Sequence, residues 1–109
     1  MQNNPFAQIE EVKSQTNALN LGSFATSSAF ETAVSNVMND INSASVQPVV
    51  FTTSAIFAPF TSSGGFSATI QSRVKGNNSG LITVWNQVGF MAYGFSYNGT
   101  FTWKKPTLT

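Results

Sequence analysis

The chain has 109 residues and a formal net charge of +1, and only 8% of its residues are charged while 41% are hydrophobic. That length supports one domain with at most a short appendage. It contains no cysteine and no histidine, which excludes disulfides, thiolate and imidazole metal sites, and a serine triad of the usual kind.

The small net charge hides a split. The four acids, Glu10, Glu11, Glu31 and Asp40, all lie in the first 40 residues, with Lys13 as the one base there. Beyond them come Arg73, Lys75, Lys104 and Lys105 and no acid. Four scattered bases do not form the clustered stripe that grips a phosphate backbone, so no nucleic-acid partner is expected. Polarity comes instead from Ser, Thr, Asn and Gln, and a surface of neutral hydroxyls and amides has little charge to keep copies apart. That suits a protein living inside an assembly. Met1-Gln2-Asn3-Asn4 is not a basic leader and no apolar core follows it. No apolar run approaches the ~18 residues of a spanning helix. The expectation is synthesis in a cytoplasm, without membrane insertion.

In chain order, residues 5–19 read as a first short helix. Asn4 is placed to cap it, Pro5 sits at its first position, and Phe6, Ile9, Val12, Thr16 and Leu19 form a narrow stripe. Asn20-Leu21-Gly22-Ser23 reads as its exit and a linker. Residues 29–42 read as a second helix. Ser28-Ala29-Phe30-Glu31 has capping-box form, and Phe30, Ala33, Val34, Val37, Met38 and Ile41 follow at spacings of three and four. Phe30, Val34, Val37 and Ile41 alone step at coiled-coil spacing. A helix lying on a β core and a short oligomeric bundle both satisfy this pattern.

From Val46 the chain turns to β-branched and aromatic residues. Val49–Thr53 is an expected strand. Ala55–Phe60, interrupted by Pro59, is either an edge strand or a covered loop. Phe66–Val74 alternates, with Phe66, Ala68, Ile70 and Val74 facing in and Ser67, Thr69, Gln71 and Arg73 facing out. Leu81–Trp85 and Val88–Tyr97 carry bulk on both faces, so they need a second cover from the helices or from a neighbouring copy. Tyr97-Asn98-Gly99-Thr100 is a hairpin signal, because Asn-Gly supplies the two positive-φ residues of a type I′ turn. The final strand, Thr100–Lys104, puts Phe101 and Trp103 on one face and Thr100, Thr102 and Lys104 on the other. The expected fold is therefore α+β: two short N-terminal helices over residues 1–45, then a small antiparallel β-sandwich or barrel-like knob over residues 46–109.

Catalytic chemistry is absent. The β region holds no carboxylate, so a paired-carboxylate site cannot form there. Glu10 and Glu11 are adjacent and diverge on a helix. Gly64-Gly65 and the Gly76–Gly80 loop lack the strand–glycine–lysine–helix frame of a phosphate loop. No enzyme activity, cofactor or metal is expected, and binding or architecture remains. Trp85, Tyr93, Phe95, Tyr97, Phe101 and Trp103 are either core or an exposed platform for sugar rings or subunit contacts.

The run Gly80-Leu81-Ile82-Thr83-Val84, followed by Tyr97-Asn98-Gly99-Thr100-Phe101-Thr102-Trp103-Lys104-Lys105-Pro106-Thr107-Leu108, resembles the C-terminal ends of tailed-phage tail-fibre proteins of the pyocin-knob kind. The resemblance is loose over the last 60 or so residues and strongest over the last 12. It implies a homotrimeric virion protein, assembled in the host cytoplasm, whose knobs contact host-surface polysaccharide or protein. On that reading the chain is a small tail fibre or receptor-binding tip, attached to other virion proteins through residues 1–45. Tyr93, Tyr97, Trp103 and Lys104 are its expected ligand contacts, with Arg73 and Lys75 as anion contacts. A capsid decoration (cement) protein is the main alternative, and a free carbohydrate-binding module the second.

Overall fold

The structure, a computed structural model, describes residues 18–105. The chain runs β1 (Leu19–Phe24), α1 (Ser27–Asp40), β2 (Val46–Thr53), β3 (Gly64–Val74), β4 (Ser79–Trp85), β5 (Met91–Tyr97) and β6 (Thr100–Lys104). All six strands belong to one sheet, in the order β1-β2-β3-β4-β5-β6. β1 and β2 are parallel and joined through α1, whereas β2 to β6 form an antiparallel meander. The domain is small, β-rich and mixed, with one helix among the described residues.

The expected first helix, 5–19, lies outside the described residues except at its end, where Leu19 opens a strand instead. Asn20-Leu21-Gly22-Ser23 is not a linker but the middle of that strand. Leu19 and Asn20 pair with Val49 and Val50, and Ser23 and Phe24 with Thr52 and Thr53 after a register shift. Local pattern could not show this, because Gly22 at φ 104 interrupts the alternation and the partner lies across a helix. The boundary expected at residue 45 falls between α1 and β2, inside a core to which both contribute.

α1 is capped by Thr26, whose hydroxyl accepts the Ala29 N–H at 3.2 Å. The cap sits two residues before the expected Ser28, which frees Glu31 for another partner. Phe30, Val34, Val37 and Met38 form the buried stripe of α1. They pack on Val49, Phe51, Phe66, Ala68, Ile70, Ile82 and Val84 of the sheet. Phe60, from the loop between β2 and β3, closes one end with its ring centroid 5.4 Å from Phe30 and 4.7 Å from Phe66. The segment is a loop and not an edge strand, and Phe60 turns from it into the core. Pro48 sits inside β2 beyond the point where β1 pairing begins at Val49, so its missing N–H breaks no β1–β2 bond.

Two strand expectations shift. Val74 is exposed at 39%, because a bulge between Ser72 and Val74 breaks the alternation and Ser72 is buried in its place. Val88 and Phe90 are not strand residues. The Asn86 side chain accepts the Val88 and Phe90 N–H groups at 3.1 and 2.9 Å, closing a loop before β5 begins at Met91. The Asn98-Gly99 turn forms as the type I′ signal requires, with φ of 55 and 91.

Asn78 ties the tertiary structure together. Its N–H donates to Asn39 Oδ1 at 2.8 Å, and its side-chain carbonyl accepts from Asn39 Nδ2. Its backbone carbonyl accepts from Ser96 Oγ at 2.7 Å and from the Gly99 N–H at 3.0 Å. One residue thereby joins the last turn of α1, the β3–β4 turn and the β5–β6 hairpin.

Candidate functional site

α1 covers one face of the sheet, and side-chain alternation decides what the opposite face carries. On β5 the residues toward the helix are Ala92, Gly94 and Ser96, all buried, while Met91, Tyr93, Phe95 and Tyr97 point away and are exposed. The small residues belong on the helix side because large rings from elsewhere fill that space. A Cβ on Gly94 would lie 2.5 Å from ring carbons of Trp103, its partner on β6. On β4, Ile82 and Val84 turn toward the helix, and Leu81 and Trp85 turn away.

The outward residues form an apolar ladder. Leu81 pairs with Phe95, Thr83 with Tyr93, and Trp85 with Met91. Trp85 is 49% exposed, Met91 48% and Phe95 42%. Ser67, Thr69 and Gln71 of β3 flank the ladder on one side, and Thr102 and Thr100 of β6 on the other. No charge sits within the ladder. A contiguous apolar face of this kind, rimmed by polar residues and the cation Lys104, has the make-up of a contact surface.

The residues singled out from sequence distribute unevenly. Tyr93 and Lys104 are direct cross-strand partners on this open face. Tyr97 stands on the same side beside the hairpin turn, at 76% exposure. Arg73 is the extra residue of the β3 bulge and borders a shallow depression with Gln71 and Leu81. Lys75 lies past the end of β3, in the turn, where its N–H donates to Ser43 Oγ at 3.1 Å. Trp103 is on the other side of the sheet. It stacks on Phe30 at 6.0 Å and on Phe101 at 5.8 Å, and its indole N–H donates to Glu31 Oε2 at 2.8 Å. Trp85 and Phe95 figure in the sequence as core or platform rings but not as ligand contacts, and Leu81 and Met91 as neither, although the bulk on both faces of their strands is the signal for all four.

A second surface feature opens beside the helix. A cleft of about 490 Å³ runs between α1 and the β5–β6 turn, lined by Ser28, Glu31, Thr32, Asn36, Gly99 and Phe101 among others. Among the described residues no group of three or more His, Cys, Asp or Glu is placed to hold a metal ion. No helix among them is long and apolar enough to cross a membrane. No protein-family model, curated protein or solved structure matches the chain.

Proposed function

We propose that this chain is a non-catalytic virion structural protein, a small tail fibre or receptor-binding tip, whose copies join through the open face of the sheet. The observation that carries the reading is the uncharged ladder of Leu81, Thr83, Trp85, Met91, Tyr93 and Phe95, which none of the other described elements covers. Aromatic side chains and Met without internal charge are the composition of an interface centre.

Further copies of the same chain are the occupant that fits best. Six strands about 4.8 Å apart and seven or so residues long present a face of roughly 24 by 23 Å. That is of the same order as the roughly 800 Å² each partner contributes to a stable interface. The cations Lys104 and Arg73 stand outside the ladder, on the edge strand and at the bulge. In a trimer the three ladders turn toward a common threefold axis, and a seam centred on them leaves both cations at its rim rather than buried without a partner. The second cover that β4 and β5 need would then come from the two neighbouring subunits of a homotrimeric knob. Tyr97, Lys104 and Arg73 at the rim remain available to a host surface, and several weak contacts per trimer gain strength on a repetitive one. Of residues 1–45, the part ahead of β1 would join the protein to other virion components, since β1 and α1 build the sheet and its core.

The capsid decoration reading uses the same seam and differs in where the trimer sits. Imaging of particles carrying the labelled protein separates the two. Density on the tail supports the fibre, and density at capsid threefold positions supports the decoration protein. No particle-associated density contradicts both.

A further inference from the structure

The cleft between α1 and the β5–β6 hairpin is not part of the open face, and its chemistry points to a ligand of its own. One wall is the exposed side of α1, where Ser28, Thr32, Ser35 and Asn36 recur at helical spacing. The other wall is the hairpin, with Gly99 at the turn and Phe101 on β6. Asn78 lines it as well, held in place by its bonds to Asn39, Ser96 and Gly99. Asn78 is therefore in place before any ligand arrives, which lowers its share of the ordering cost of binding.

The donor set selects the ligand class. Hydroxyls and amides each both donate and accept, which matches a polyol. Glu31 adds a carboxylate with about four acceptor positions, of which Trp103 uses one. Phe101 adds an apolar ring. The lining contains no Lys or Arg and one acid, so a phosphate or other anion finds repulsion rather than a partner. A single carboxylate already bonded to an indole is also too little to hold a metal cation. A volume of about 490 Å³ is within the range of small-molecule sites. We infer that this cleft binds a neutral saccharide, as the adhesive subsite of each subunit. The inference rests on the adhesive reading proposed above but places the ligand away from the open face.

The test is a nuclear magnetic resonance titration of the full chain with glucose, galactose, mannose and N-acetylglucosamine and their short oligosaccharides, against glucuronate and sialic acid. A neutral sugar should shift the amides of Thr32, Asn36, Asn78 and Gly99. Asn36→Trp, which fills the cleft from an exposed helix position, should weaken that binding by about tenfold or more, the equivalent of about 1.4 kcal/mol. Arg73→Ala, remote from the cleft, should leave it unchanged. Shifts confined to the open face, a preference for the acidic sugars, binding unaffected by Asn36→Trp, or no shift with any sugar each overturn the inference. Sedimentation of the same samples keeps the two proposals apart: a trimer with a silent cleft removes the saccharide subsite alone, and a monomer with an active cleft removes the seam alone.

Discussion

The indole N–H of Trp103 donates to the carboxylate of Glu31 at 2.8 Å, joining the last strand to a helix residue 72 positions earlier in the chain. The same ring stacks on Phe30, one residue before Glu31. Edge strand and helix are thus held by a polar and an apolar contact at one place. Glu31→Ala should leave a half-buried N–H without its partner and cost about 1–2 kcal/mol. Glu31→Gln keeps an acceptor and should cost less. Urea unfolding checks this through a lowered midpoint with an unchanged slope.

Gly94 is the counterpart of that contact. Its missing Cβ leaves the space that Trp103 fills, since a Cβ there would approach the ring carbons to 2.5 Å. Gly94→Ala should destabilise by roughly 1–3 kcal/mol through overpacking. Replacing Trp103 by Leu in the same chain should relieve part of that loss, so the two substitutions should be non-additive in a double-mutant cycle.

Asn78 should be more sensitive than its partly buried position suggests. Asn78→Ala removes the Oδ1 that accepts from Asn39 Nδ2, while the backbone N–H bond to Asn39 Oδ1 stays, and puts a residue poorly suited to positive φ at 49°. Asn78→Gly removes that side-chain acceptor alone. A loss of about 1–3 kcal/mol is expected for the alanine variant, with the glycine variant recovering part of it. Thermal unfolding of both, beside Asn39→Ala, separates the hydrogen-bond and backbone contributions.

Much of this fold was legible in the sequence, and what was missed has definite causes. The Asn98-Gly99 turn, the alternation from Phe66 to Ile70 and the stripe from Phe30 to Met38 are local patterns, and all three appear as expected. β1 looks like a linker in the sequence because its pairing with β2 is parallel and spans a helix, which no short window contains. The helix cap moved to Thr26, and the competition between two hydroxyl residues for one N-terminus depends on where the helix meets the sheet.

The candidate site was legible in part for the same reason. Alternation puts Tyr93, Tyr97 and Lys104 on one face and Trp103 on the other. It cannot say which face the helix covers. That was decided by Gly94, where a glycine on β5 makes room for a tryptophan on β6. The cleft beside α1 was not legible at all, since Ser28 and Phe101 come together only through the fold.

The claim on which the functional reading turns is that copies meet through the Leu81–Phe95 face. Sedimentation equilibrium of the full chain beside Phe95→Glu tests it most directly. Phe95 is exposed in the single subunit, so the substitution should leave the circular dichroism spectrum unchanged. It should also bury a charge in the seam and prevent assembly. The expected result is a trimer for the natural sequence and a folded monomer for the variant. A monomeric natural protein, or a variant that still forms the trimer, would contradict the claim.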